Sequence, residues 1–548
     1  MGEDFNRVPG IAARAGAVAR RWLPLFCAVF AIGMLGHMTL WSTWATNPDG
    51  MVAGDGYAPS GFGEWELSLG RWGWKLAMTL RGWAAPPPFI AAITIALFSV
   101  GTLLSARAMG VRGRAALVAC ASAVTLTPMV ACSVSYYSFA DVYGWAFLLS
   151  AASVGIHFVT RLPRAARLAL GPAMLAVSIA CYQSTMGVAA GLAATCLLVR
   201  ALDARWDARH VGARLADCLF TGAAGAALYV AVTRLWQAAE GVQMASFHGA
   251  DTIGLAGIAS ALPGAPARVL ASWRDVLFGS SVFGNHFGSP AFAAVLVALG
   301  ALAFAALLYR FRGEPWRLAV AVGMAALAPF AAGVIRIVVP DTDLSTLMPG
   351  GFIAMAPLPC ALVCRLRPAT EAGSAHEGAA PGPAVRAASA AALAACLLTA
   401  GLGWTYAIQV NVDAAAMREV DNQVISLASR IGARLEADPD VLAGAPVLVV
   451  GIPDRGSYPL PADADPSRVT PYARWGLIWW NHSVGYWGWR SIFTHRLGMP
   501  INWCDNETYS RVVNSDEFKA MPSYPAEGSV AVVGGVVTVK VSGTEGFK

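Results

Sequence analysis

The feature that most restricts this chain is a series of apolar runs separated by short arginine-rich loops. Each run is long enough to cross a ~30 Å hydrocarbon core as a helix of about 20 residues. Runs of this kind fall near 22–44, 88–106, 115–133, 142–160, 168–182, 184–201, 213–236, 290–309, 318–338, 350–364 and 387–408, which predicts eleven spans. Apolar residues make up 56% of the sequence and charged residues only 13%, a balance that excludes an ordinary soluble enzyme.

The cations report orientation. Arg7, Arg14, Arg20 and Arg21, then Arg107, Arg112 and Arg114, Arg161, Arg164 and Arg167, Arg200, Arg205, Arg209 and Arg214, Arg310, Arg312 and Arg317, and Arg365, Arg367 and Arg386 occupy alternate loops. The positive-inside rule makes those loops cytoplasmic and leaves 45–87, 237–289 and the tail outside. Because every cluster abuts an apolar run, the basic residues belong to membrane topology, and nucleic-acid binding is not expected. The apolar run from Trp22 is too long for a cleaved leader and reads as a retained first span. Nine of the ten cysteines lie in or beside apolar runs and Cys504 stands alone, so no disulfide framework is expected.

Two domains follow: 1–408, polytopic and helical, and 409–548, extracytoplasmic. In the second, a helical pattern over 404–437 continues from the last span. Strand-like VLVVGIP at 447–453 and SVAVVGGVVTVKVS at 529–542, the latter with a Gly-Gly hairpin signal, predict a small α/β domain. Between the strands lies a tryptophan-rich stretch whose Trp480 and Trp487 could stack on sugar rings, or could form the domain's core. His482 and His495 show no metal-ligand spacing, and no phosphate-binding loop, dinucleotide fingerprint or serine elbow is present.

The first outer loop carries the strongest chemical signal. Trp65, Leu69, Trp72, Leu76, Leu80 and Trp83 recur at helical spacing and predict one amphipathic helix on the membrane surface, with Glu64, Ser68, Arg71 and Lys75 on another face. Ahead of it, the turn-like NPDG and GDGY hold Asp49 and Asp55. A carboxylate beside cations at headgroup height suits a reaction on a lipid-linked phosphate, and equally suits a turn followed by ordinary lipid contacts.

NPDG followed by LGRW at 69–72, YYSFADVYGWAFLLS at 136–150, CYQSTMG at 181–187 and the terminal MPSYPAEGSVAVVGGVVTVKVS resemble polytopic bacterial glucosyltransferases related to the serotype-converting enzymes that decorate O-antigen. The resemblance implies a C-type glycosyltransferase in the bacterial plasma membrane. Such an enzyme takes a hexose such as glucose from a polyprenyl-phosphate donor and adds it to a cell-envelope glycan outside, with inversion. It also implies a companion enzyme that charges the polyprenyl phosphate and a flippase that delivers it. On the family's pattern Asp49 becomes the base. This chain reads Asp49-Gly50 where some relatives have paired acids, which leaves Asp55 or Glu64 for a second acidic role.

Arg71, Lys75 and Arg336 are the candidate donor-phosphate cations, Arg336 alternatively reaching ordinary headgroups. Glu64, Tyr137, Asp141, Tyr182 and Gln183 are candidates for sugar or acceptor contacts. Asp141 could instead cap the span that follows it, and the polar YQS segment at membrane depth must pair internally or face a cavity. Acidic first-loop residues could also hold a divalent cation, although nothing requires one. A transporter or flippase of lipid-linked saccharide would want similar cations. It would also want charges along a path through several spans, whereas here the acidic residues gather on one side.

Overall fold

The computed structural model describes residues 11–43, 45, 63–82, 85–245, 259–339, 344–366, 382–452, 466–473 and 488–542. In chain order the helices are α1 (Ile11–Gly36), α2 (Met38–Thr43), α3 (Glu64–Ser68), α4 (Gly73–Arg81), α5 (Pro87–Met109), α6 (Arg114–Thr125), α7 (Pro128–Ser135), α8 (Ala140–Val159), α9 (Arg164–Cys181), α10 (Met186–Ala201) and α11 (Ala208–Glu240). They continue with α12 (Ala265–Leu277), α13 (Ser289–Arg310), α14 (Pro315–Ala332), α15 (Ile335–Val338), α16 (Gly350–Ala354), α17 (Leu358–Leu366) and α18 (Pro383–Glu436), with further short helices at Ser280–Phe283, Pro439–Leu442, Asn506–Asn514 and Asp516–Ala520.

Among the described residues, eight helices are long and apolar enough to cross a membrane, or nine if the bent pair α6 and α7 forms one span. Two further runs that the sequence reads as spans carry a turn. The run at 22–44 breaks at His37, whose ring Nε2 lies 2.9 Å from Thr125 O, and the run at 350–364 breaks between Ala354 and Leu358. The run at 115–133 bends by 50°, where Pro128 opens α7. The polar interruption between α9 and α10 lies where the sequence places it, as a short 3-10 turn over Gln183–Thr185.

Helices α5, α8 and α10 are the buried centre of the bundle, with α8 packed between α5 and α9. Gly101 and Gly144 permit that approach, since a β-carbon at either would lie 2.9 Å from a side chain of the facing helix. Helices α11, α13 and α18 instead expose leucines such as Leu219, Leu235, Leu302 and Leu397, which suits a lipid surround.

The last span continues without a break to Glu436, and a second core forms on its far half. There β1 (Val447–Val450), β2 (Val530–Val533) and β3 (Val536–Lys540) make one sheet in the order β1-β3-β2, with β1 parallel and β2 antiparallel to β3. Gly534 and Gly535 close the β2–β3 hairpin with φ of 56° and 81°, the left-handed pair such a two-residue turn needs. Trp489 is a core residue here, packed beside Phe493 and donating its indole N–H to Gly451 O. Below this unit, Asp413 fastens the segment 466–473 to α18 by accepting hydrogen bonds from Thr470 N, Thr470 Oγ1 and Gln409 Nε2.

Candidate active site

The first outer segment differs from the single amphipathic helix its spacing predicts. It forms α3 and α4 with a reversal at Gly70, whose φ of 72° lies in the left-handed region. Beyond the reversal the buried face changes. Leu67, Leu69, Trp72, Trp74, Ala77 and Met78 turn inward, whereas Trp65, Leu76 and Leu80 are exposed. Glu64 is exposed, in keeping with its place on the polar face, whereas Glu66, to which the spacing gives no role, is buried. Glu66 Oε2 accepts the Gly63 N–H at 2.8 Å and so caps α3. Burial pushes its carboxyl above the usual carboxylate range, against backbone hydrogen bonds and the nearby Arg71 cation.

Side chains from distant elements stitch this strap down. Gln237 Nε2 donates to Leu67 O at 3.0 Å, Gln183 Nε2 to Leu69 O at 2.7 Å, and Trp72 Nε1 to Thr233 Oγ1 at 3.1 Å. Tyr229, Thr233 and Gln237 recur every four residues and therefore share one face of α11. Trp74 Nε1 donates to Cys181 O at 2.7 Å, anchoring α4 at the end of α9.

These contacts fix Arg71. Its guanidinium lies over the rings of Trp74 and Tyr182, 5.6 and 5.9 Å from their centroids, and its buried Nε donates to no described residue. Lys75 is exposed, with Nζ 5.2 Å above the Trp236 ring. Tyr182 meets Tyr143 edge to face, and Tyr143 meets Tyr136 and Phe139. Beside this aromatic group opens a small pocket lined by Phe98, Met129, Ser133, Tyr143, Tyr182 and Ser184. A cation with an unsatisfied N–H next to aromatic faces and hydroxyls is suited to a phosphate carrying a sugar.

The structure thus brings Arg71, Tyr182 and Gln183 together. Asp141 is fully buried, and its Oδ1 pairs with Arg81 Nη1 at 3.1 Å, while Arg81 Nη2 donates to Ser138 O. Burial lowers the Arg81 pKa and the Asp141 charge opposes that shift. Tyr137 is also buried and donates its hydroxyl to Leu40 O at 2.9 Å, tying α2 to the turn before α8. Arg336 lies on α15, which packs against α12, and its carbonyl accepts from Arg268 Nε. Asp49, Asp55, Trp480 and Trp487 lie outside the described residues. Among the described residues no three His, Cys, Asp or Glu side chains gather as a metal-holding group.

Sequence reasoning missed Glu66, Arg81, Tyr229, Thr233 and Gln237. A Gly-x-x-Glu capping pattern at 63–66 and the four-residue repeat of polar groups on α11 were the available signals.

The family model described as Glucosyl transferase GtrII matches residues 55–355. The chain belongs to that family. No curated protein and no solved structure matches it. The GtrII match contains the strap, the aromatic group and α15, so Arg71, Arg81, Asp141, Tyr182, Gln183, Tyr229 and Arg336 all fall within it. Asp49 precedes the matched segment, and Trp480 and Trp487 follow it. Membership supports glucosyl transfer as the function of the chain.

Proposed function

We propose that this GtrII protein is a C-type glycosyltransferase that moves glucose from a polyprenyl-phosphate donor to a cell-envelope glycan on the extracytoplasmic side. The observation that carries the reading is Arg71, a half-buried guanidinium held over two aromatic rings with an unsatisfied Nε. A donor phosphate there would fill the missing acceptor, and the sugar would lie against Tyr182 and the neighbouring pocket. Asp49 takes the proton from the acceptor hydroxyl as its oxygen attacks the anomeric carbon opposite the phosphate. The carbon–phosphate oxygen bond breaks, the configuration inverts, and polyprenyl phosphate leaves against Arg71. Asp55 or Glu64 orients the acceptor, and Lys75 and Arg336 add positive field. The arginine-rich loops, read by the positive-inside rule, support a site on the outer side.

The test is transfer by purified protein in nanodiscs, given polyprenyl-phosphate glucose, nucleotide-linked glucose or no donor, with envelope glycan as acceptor. Labelling with the lipid donor alone, abolished in Asp49→Asn, is expected. Labelling from the nucleotide sugar would remove the lipid donor from the scheme. Movement of lipid-linked sugar across a proteoliposome bilayer without transfer would make the protein a carrier.

A further inference from the structure

A second concentration of charge lies away from the strap, where the α5–α6 and α10–α11 connections meet the end of α17. Asp203 is its one carboxylate among the described residues. Arg205 grips it with Nε at 3.0 Å from Oδ1 and Nη2 at 2.8 Å from Oδ2, while Arg365 Nε and Arg112 Nη2 approach Oδ2 at 3.4 and 3.6 Å. Arg200 and Arg107 lie within the same field. Among the described residues no other carboxylate comes within 4 Å of Arg112, Arg205 or Arg365.

The backbone is shaped to crowd these cations. Gly110 has φ of 95°, and a β-carbon there would fall 2.2 Å from Arg365 Nη2 and 2.7 Å from Arg200 Nη1. Arg200 Nη2 reaches Ala108 O, yet Arg200 Nε and Arg365 Nε and Nη1 are buried and donate to no described residue. Burial pushes the Asp203 carboxyl up, but the Arg205 hydrogen bonds and the Arg365 charge outweigh it and hold it at about 2. One charged carboxylate therefore stands in a cluster of five guanidinium groups, and the surplus is positive.

We propose that the arginine cluster around Asp203 binds the phosphate headgroup of an anionic membrane lipid. Arg107, Arg200 and Arg365 stand in the last turns of the apolar helices α5, α10 and α17, which sets the cluster at headgroup depth. Arg112 and Arg205 are the half-exposed arms, with 41% and 61% of their side chains accessible, and they supply the entry that a headgroup requires. The lipid would join three separate chain segments without touching the transfer site.

The experiment uses delipidated full-length protein in detergent, followed by native mass spectrometry and thermal unfolding. Phosphatidylglycerol, phosphatidylcholine and inorganic phosphate are the three probes. Phosphatidylglycerol is expected to stay bound and to raise the unfolding temperature, and the other two are not. The Arg112→Gln/Arg205→Gln variant should weaken phosphatidylglycerol binding by about 10-fold or more, since each removes one cation near the surface. Asp203→Asn should strengthen it several-fold, an opposite sign that a merely misfolded variant cannot produce. The control Arg310→Gln/Arg312→Gln removes two arginines from another loop and should change nothing. Equal weakening in that control, unchanged binding in the first variant, or equal stabilisation by inorganic phosphate would each overturn the proposal.

Discussion

The hydroxyl of Tyr229 stands so close to Gly70 that a β-carbon on that glycine would lie 2.5 Å from it. The reversal that aims Arg71 inward therefore depends on both residues. Gly70→Ala adds a clash and a left-handed conformation that costs a non-glycine residue about 1–3 kcal/mol. Glucosyl transfer should fall by an order of magnitude or more. Tyr229→Phe in the same chain removes the oxygen and leaves Thr233 Cγ2 at 3.2 Å and the ring Cζ at 3.4 Å, a much smaller crowding, so the double variant should recover part of the loss. Transfer rates of the four proteins at matched expression check this, and a double variant no better than Gly70→Ala would separate Tyr229 from the reversal.

Arg71 should show its role in how the kinetics divide. Arg71→Ala removes a charge-assisted phosphate contact, for which a loss of about 10- to 100-fold in kcat/KM for the lipid donor is expected. Arg71→Lys keeps the charge but cannot lie flat over Trp74 and Tyr182, so it should restore only part of the activity. Apparent affinity for the glycan acceptor should be little changed in both. An equal loss for donor and acceptor would point to a collapsed strap.

The legible parts of the fold were those governed by local chemistry. The Gly-Gly hairpin, the polar break at 181–185 and the helix running on past the last span all follow from residues adjacent in sequence. The bundle's partners were not legible in the same way. Periodicity treats 64–83 as one helix, whereas the left-handed Gly70 breaks it and resets which face is buried beyond the turn. Gln183 could be singled out as a polar residue at depth, but its partner is a backbone carbonyl of the strap, which no spacing rule foretells. Nothing near Arg81 in sequence marks it as half of an ion pair, because its partner Asp141 belongs to a different segment.

Glu66 gives a pH signature. Its carboxyl is raised in the folded state, chiefly by burial, so between its unfolded and folded values the native chain holds the extra proton. The stabilisation is full at low pH and is lost as pH rises through the folded value. Glu66→Gln keeps an oxygen for the Gly63 N–H and drops the charge. From mildly acid to mildly alkaline pH, the unfolding temperature of the variant should therefore fall less than that of the parent. Identical slopes would mean that Glu66 does not titrate differently on folding.

The Arg81–Asp141 pair should behave as a buried ion pair does. Both side chains are almost wholly enclosed, and Asp141 Oδ2 has no hydrogen-bond donor among the described residues. Removing one partner leaves the other charge desolvated, at a cost of about 3–5 kcal/mol, whereas replacing both with apolar groups of similar size is often neutral. Arg81→Met and Asp141→Leu should each lower the unfolding temperature sharply, and the double variant should recover most of the loss. Activity separates the remaining roles. If Asp141 only ties α4 to α8, the stable double variant should transfer glucose with a donor KM near the parent's. A double variant that is stable yet inactive would place the Asp141 carboxylate among the groups that contact the substrate.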